Sequence, residues 1–201
     1  MRLDRLIKYI DLTCAHTVAD FACGSGMLME YVAPKVKTYV GVDFSEPFID
    51  AANNRKNKLG TNNAEFFCST IQKFCRERKD VFDVGFLMDF SEHVYDQEWL
   101  EILRSIRNAT KPNGKLYLHT PNAQFFLEIM KNHNFIVRQF PEHIAVRTPE
   151  HNIDLLEKAG FRVNKLILLP HYNVLRYLHP LSYIPVIGSY FKARIFIEAV
   201  K

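Results

Sequence analysis

Three short stretches of this sequence carry groups that could do chemistry. Val18-Ala-Asp-Phe-Ala-Cys-Gly-Ser-Gly26 is a glycine-rich turn set between an apolar run and a helical pattern. Such a turn lets backbone approach a ligand closely and offer it N–H groups. Asp20 can bond amides of the turn or reach the ligand through water, and Gly24 and Gly26, with Cys23 beside them, are positions where a side chain would strike a bound molecule. Asp43, in Gly41-Val-Asp-Phe-Ser45, ends the next apolar run. A carboxylate there can accept two hydrogen bonds from a ribose diol, while Phe44 lies against adenine. The alternative is that Asp43 only caps the helix that starts near Ser45. The third stretch, Asp89-Phe-Ser-Glu-His93, holds two carboxylates and an imidazole that titrates near neutrality, so His93 could serve as a general base. His143 is a second candidate. For either imidazole the alternative is a histidine simply hydrogen-bonded in a loop.

These residues need a scaffold that brings them to one edge. Apolar runs rich in β-branched and aromatic residues occur at Thr17 to Ala22, Thr38 to Asp43, Ala64 to Ser69, Phe82 to Asp89 and Lys115 to Thr120. Between them, apolar residues recur at three- and four-residue intervals over Met27 to Ala33, Glu46 to Leu59, Ile71 to Arg78 and Gln97 to Ala109. Alternating strands and helices of this kind build a parallel sheet. Thr110-Lys-Pro-Asn-Gly114 reads as a stop and turn before the fifth strand. A helix over Thr148 to Ala159, a strand over Arg162 to Leu169 and a last strand over Ala193 to Lys201 complete the pattern.

A dinucleotide site would use the same glycines and acidic tip. Its fingerprint asks for a third small residue three positions after the second glycine, so that the helix can meet a pyrophosphate, and this chain has Met29 there. The terminal strand also suggests a hairpin at the sheet edge. Both features favour S-adenosylmethionine (SAM), which has no phosphate, over NAD.

With VADFACGSG, GVDFSEPFIDAA, FDVGFLMDFSEHV, KPNGKLYLHTPN and LLEKAGF in place, the chain resembles the class I SAM-dependent methyltransferases, and among them the ubiquinone-pathway O-methyltransferases. The likeness runs from about Val18 to Gly160, with an echo in Leu169-Pro-His-Tyr-Asn173. It implies an α/β fold, a Rossmann-like doubly wound sheet of seven strands in the order 3-2-1-4-5-7-6 with strand 7 antiparallel. It implies that Ala22, Gly24 and Gly26 face the methionine part of SAM, Asp43 the ribose and Phe44 the adenine. Ser69, Thr70 and Ile71 would close around the adenine, and Met88 would face the methionine moiety. Ala22 departs from the glycine usual in the family. In the ubiquinone branch a motif similar to Asp89, Glu92 and His93 is associated with a divalent cation such as Mg2+, although mixed carboxylate and imidazole ligands suit Mg2+ poorly.

With 201 residues, 48% of them hydrophobic, the chain can bury about 70% of its unfolded surface, and a single domain spanning residues 1–201 is expected. Two segments break the strand and helix rhythm, about 121–147 and 171–191, and both are rich in aromatic and aliphatic residues. They are expected to cover the acceptor site as lids, which argues for a small apolar or amphipathic acceptor such as a quinone precursor, a phenol or a lipid-linked group. The alternative is that they only pack on the sheet. Leu175 to Phe191, flanked by Arg176, Lys192 and Arg194, could also rest on an anionic membrane surface. The basic residues are otherwise scattered, so nucleic acid is not an expected partner. Cys14, Cys23, Cys68 and Cys75 show no metal-binding spacing. Reduced thiols, no signal-peptide pattern and no membrane-spanning run point to the cytoplasm. The expected activity is methyl transfer to oxygen; a methyltransferase-like module that only binds and an NAD-dependent oxidoreductase are the alternatives.

Overall fold

The computed structural model describes residues 3–132, 141–171 and 174–201. Seven strands, β1 (Thr17–Phe21), β2 (Thr38–Asp43), β3 (Ala64–Cys68), β4 (Phe82–Met88), β5 (Thr110–Pro121), β6 (Arg162–Leu169) and β7 (Arg194–Val200), form one sheet. Their order is β3-β2-β1-β4-β5-β7-β6. β1 to β5 run parallel, and β7 lies antiparallel between β5 and β6. This is the expected order, with the expected antiparallel seventh strand.

The strands read as apolar runs because both faces of the sheet are covered. Alternate residues feed two cores. On one face Phe21, Val42, Leu87, Leu116 and Ile197 meet Trp99, Leu103 and Ile106 of helix α5 (Asp96–Ala109). On the other, Val18, Tyr39, Phe86, Tyr117 and Phe196 meet Leu6, Met29 and Val32. Phe86, Tyr117 and Phe196 stack in sequence across β4, β5 and β7, with ring centroids 5.9 and 5.8 Å apart.

The helices, in chain order, are α1 (Leu3–Leu6), α2 (Met29–Val32), α3 (Glu46–Leu59), α4 (Ile71–Arg76), α5 (Asp96–Ala109), α6 (Phe126–Asn132) and α7 (Pro149–Lys158). α3 has the bounds its periodicity predicts, because Pro47 near its start and Gly60 in a left-handed cap at its end bracket it. α7 starts at Thr148, whose side chain accepts from His151 N–H.

One expectation is corrected here. The stop and turn at Thr110 to Gly114 lies inside β5 as an irregularity: Thr110 pairs with Phe82 and the ladder resumes at Lys115 with Val84. Thr110 stays attached to α5 through its hydroxyl, which donates to Ile106 O at 2.8 Å.

Since β6 and β5 are both antiparallel to β7, they run parallel to each other. The segments that follow β5 and β6 therefore leave the sheet at the same edge as Asp43 and Met88. Phe135, Ile136 and Phe140 of the first segment, and Tyr172 and Asn173 of the second, lie outside the described residues. What is described packs the two segments against each other: Phe125 stacks on His171 at 5.9 Å and Phe126 meets Phe191 at 5.7 Å.

Candidate functional site

The bend after β1 is built by backbone conformations that few residues adopt. Ala22, Gly24 and Gly26 have φ of 59°, 51° and 71°, all left-handed, where a Cβ costs about 1 kcal/mol or more. Ala22 therefore keeps a glycine-type backbone without being glycine. Gly24 N–H donates to Asp43 Oδ2 at 3.0 Å, and Ser45 N–H to Asp43 Oδ1 at 2.9 Å. Asp43 thus turns the chain locally at Ser45 and ties the tip of β2 to the glycine turn, while α3 starts from Ser45 with no side-chain cap bond. Each Asp43 oxygen retains lone-pair capacity for a further donor.

Around this knot lies a cavity of about 700 Å³, lined by Asp20, Ala22, Cys23, Gly24, Asp43, Phe44, Met88, Asp89 and His93 among others. A niche of about 120 Å³ continues from it past Ala22, Asp43 and Phe44 to Ser69, Thr70 and Ile71. Phe44 is 74% exposed, an unusual state for a phenylalanine, and it stands where the two spaces meet. The larger hollow and the smaller niche share Ala22, Asp43, Phe44 and Phe90 as walls.

Gly26 does not line either space. A Cβ there would meet Phe66 at 2.9 Å and Ala52 at 3.1 Å, whereas a Cβ on Gly24 would meet nothing within 4 Å. Gly26 is therefore small for the sake of β3 and α3, not of a ligand, which corrects the sequence expectation. Of the two readings of Asp20 the bond to the turn amides is replaced: its carboxylate accepts the hydroxyl of Tyr39, and the residue lines the cavity. Burial pushes its pKa up to about 7, against the lowering effect of the Tyr39 bond and with help from the nearby Asp43 charge. Burial likewise raises the Cys23 thiol, so it stays protonated.

The Asp89 to His93 stretch divides into different roles. Asp89, with φ of 53°, accepts from Arg194 at 3.1 Å and pairs with His119 Nδ1 at 2.8 Å. Burial opposes its charge, but His119 and Arg194 outweigh it and hold its carboxyl below the usual range. Glu92 turns inward and accepts from Thr120 Oγ1 at 3.0 Å, and Thr120 accepts from Ser91 Oγ at 2.9 Å. Burial and the Asp89 charge raise Glu92 to about 7. His93 is exposed at the cavity mouth with Nδ1 2.8 Å from Glu142 O. A carbonyl only accepts, so Nδ1 carries the hydrogen and Nε2 keeps a lone pair in the neutral ring. His143 lies edge-on to it, ring centroids 5.1 Å apart, and burial and His93 lower its basicity.

The expected metal set of Asp89, Glu92 and His93 is corrected by this geometry. The donors that converge to within 4.8 Å are Glu92, His93 and His143, while Asp89 is held by Arg194 and His119. One carboxylate and two imidazoles do not fit Mg2+, which takes an oxygen octahedron.

Several residues of the site were not legible from sequence. Leu3 of α1 lines the cavity. His119, which no pattern singled out, is the partner of Asp89. Arg147 is 3% exposed and clamps the His93 loop: it donates to Asp96 Oδ1 at 2.7 Å, Ser91 O, Val94 O at 2.7 Å and Ala145 O at 3.1 Å. The aromatic residues expected over the acceptor do not line the cavity among the described residues; the first insertion reaches it through Glu142.

Comparison with known proteins agrees with the fold. The family profile described as a methyltransferase domain matches residues 3–166. Ubiquinone biosynthesis O-methyltransferase from Coxiella burnetii is 32% identical over 125 residues, 62% of this chain and 51% of that protein. The enzyme of the same name from Acinetobacter baylyi is 24% identical over 182 residues, 87% of this chain and 75% of that one. The chain spans about half the length of the first of these relatives. Among solved structures, a SAM-dependent methyltransferase from Aquifex aeolicus superposes with TM-score 0.70 at 19% identity, covering 99% of this chain and 89% of its own. The [4+2]-cyclase SpnF does so with TM-score 0.76 at 15% identity, covering 99% and 79%, so the fold by itself fixes no single reaction. The profile match, the strand order and the tie between Asp43 and the glycine turn together identify the chain as a member of the SAM-dependent methyltransferase family.

Proposed function

We propose that this protein transfers the methyl group of SAM to an oxygen of a small apolar or amphipathic acceptor. Asp43 would receive the ribose hydroxyls, Phe44 with Ser69, Thr70 and Ile71 the adenine, and Ala22, Gly24 and Met88 the methionine end. SAM brings the activated methyl group, and the chain's own part is alignment and handling of one proton. Bound SAM would supply a methyl group already activated for attack by the acceptor oxygen, with S-adenosylhomocysteine as the leaving product, and His93 Nε2 would take the acceptor proton. The observation that carries this reading is the rim position of His93, whose Nδ1 is committed to Glu142 O, leaving Nε2 as the base. The names of the curated relatives, both O-methyltransferases, support oxygen as the atom methylated. Phenols, quinone precursors and lipid-linked hydroxyls match the largely apolar walls formed by Leu3, Leu28, Phe48 and Phe90.

The test has two arms. Thermal-shift titration with SAM, S-adenosylhomocysteine and NAD should show stabilisation by the first two only, and stabilisation by NAD alone would overturn the reading. Transfer of labelled methyl to a panel of catechols and hydroquinones should then follow, and His93→Gln should lower turnover about a hundredfold or more with SAM affinity unchanged. Binding of SAM without transfer to any member of the panel would favour a binding module.

A further inference from the structure

We propose that Asp89 receives the ammonium group at the methionine end of SAM through Oδ2 of its carboxylate. This role rests on the reading that the cavity holds SAM. Asp89 lines that cavity, and its partners are distributed unevenly. Arg194 at 3.1 Å and His119 Nδ1 at 2.8 Å both donate to Oδ1, and among the described residues no donor reaches Oδ2. A carboxylate oxygen beside a ligand space, with its lone pairs uncommitted, is ready to accept from a ligand. The carboxyl is also held ionised by the same two neighbours, so the donor it suits best is a cation.

The backbone fixes this carboxylate in place. Asp89 has φ of 53°, a left-handed conformation that aspartate tolerates better than most side chains. Its own N–H donates to His119 O at 2.8 Å, so the buried His119 grips both its main chain and its side chain. Strain that neighbours enforce in this way gathers at ligand sites.

Position selects the end of the ligand. β3, β2, β1 and β4 lie side by side and parallel, so the residues at their carboxyl tips form a row: Ser69 to Ile71, Asp43, Ala22 to Gly24, then Asp89. Neighbouring strands lie about 4.8 Å apart, so three steps carry the row roughly 14 Å. With adenine at the first tip and ribose at the second, a ligand that continues along the row brings its amino-acid end to the fourth. The other carboxylates lining the cavity are otherwise engaged. Asp20 holds its proton to about 7 and is bonded to Tyr39, Asp43 accepts two backbone amides, and Glu142 is exposed. Among the described residues no lysine or arginine lines the cavity, so none competes there for the ligand's place.

Calorimetry with three ligands tests this. SAM carries an ammonium and a sulfonium, S-adenosylhomocysteine the ammonium alone, and methylthioadenosine neither. Asp89→Asn suits the comparison, because asparagine also adopts left-handed φ and its carbonyl can still accept from Arg194 and His119. It should weaken SAM and S-adenosylhomocysteine alike, by about tenfold to a hundredfold, and leave methylthioadenosine bound as by the wild type. Asp89→Gly, which relieves the backbone strain, should show the same pattern. Loss of SAM affinity alone would make Asp89 a partner of the sulfonium and overturn the proposal. Equal loss for all three ligands, or no loss, would overturn it too, since the carboxylate would then shape the site without meeting the ammonium. A wild type that binds none of the three would instead sink the SAM reading itself, and this role with it.

Discussion

Asp43 Oδ2 accepts the Gly24 N–H at 3.0 Å, and this one bond joins the end of β2 to the turn after β1. It makes the shape of the ligand space depend on a carboxylate that would itself touch the ligand. Asp43→Ala removes that bond, the bond to Ser45 N–H, and the acceptors for a ribose diol. Charge-assisted hydrogen bonds contribute about 1.5–3 kcal/mol each, so SAM affinity measured by calorimetry should fall at least tenfold. Asp43→Asn keeps one acceptor and should fall less. Equal affinity of wild type and Asp43→Ala would remove the ribose assignment.

The small residues of the turn divide by what surrounds them. Gly41→Ala places a Cβ 2.4 Å from Phe66 and 2.9 Å from Cys23 Sγ, inside the sheet, and should lower the melting temperature severely. Gly24→Ala meets nothing but imposes left-handed strain, so stability should drop by about 1 kcal/mol and ligand affinity by more than stability alone explains. Ala22→Gly runs the other way. It relieves the strain at φ of 59° while adding about 0.4–1 kcal/mol of unfolded-state entropy, and denaturant melts should show a change between zero and about 1 kcal/mol in favour of glycine.

Much of the fold was legible because strands covered on both faces cannot hide. Val18, Phe21, Val42 and Leu87 sit in runs that only a buried parallel sheet tolerates, and α3 carries its own start and stop in Pro47 and Gly60. The glycine turn and Asp43 were legible as types at a spacing. The rest depends on proximity across the chain. His119 finds Asp89 across 30 residues and Arg147 finds Asp96 across 51, and neither partner leaves a periodic mark. Gly26 misled for a related reason: the sequence shows that a side chain is missing but not which neighbour forbids it, and here that neighbour is Phe66.

Asp20 and Glu92 should make stability fall as pH rises. Asp20 keeps its proton to about 7 in the folded chain against an ordinary value of 3.8, and Glu92 to about 7 against 4.5. Between those limits the folded state binds more protons than the unfolded one, so each group lowers unfolding free energy with increasing pH, by at most about 1.4 kcal/mol per pH unit. Asp20→Asn keeps an acceptor for Tyr39 and carries no charge. Urea melts of wild type and Asp20→Asn should converge near about pH 4.5 and diverge toward about pH 7.5, with the variant more stable. A difference that is constant with pH would show that Asp20 is ionised throughout.

Arg147 is the residue on which the position of His93 depends most. Its guanidinium is 2% exposed at the side chain and meets the half-exposed Asp96 carboxylate at 2.7 Å. It also donates to three carbonyls, those of Ser91, Val94 and Ala145, which bracket the His93 turn. Arg147→Met preserves much of the volume but leaves those acceptors without a donor, and a buried carbonyl left unpaired costs about 1–3 kcal/mol. Lysine restores the charge but not the planar fork that serves several acceptors at once, so Arg147→Lys should recover less than half of the loss. If the clamp works through His93, methyl transfer should fall further than the folded fraction does at a temperature where both proteins remain folded. SAM affinity should hold, since Arg147 touches none of the residues around Asp43. Equal stability of Arg147→Lys and wild type would mean that a single charge facing Asp96 is enough, and the carbonyl bonds would lose their role in holding the loop.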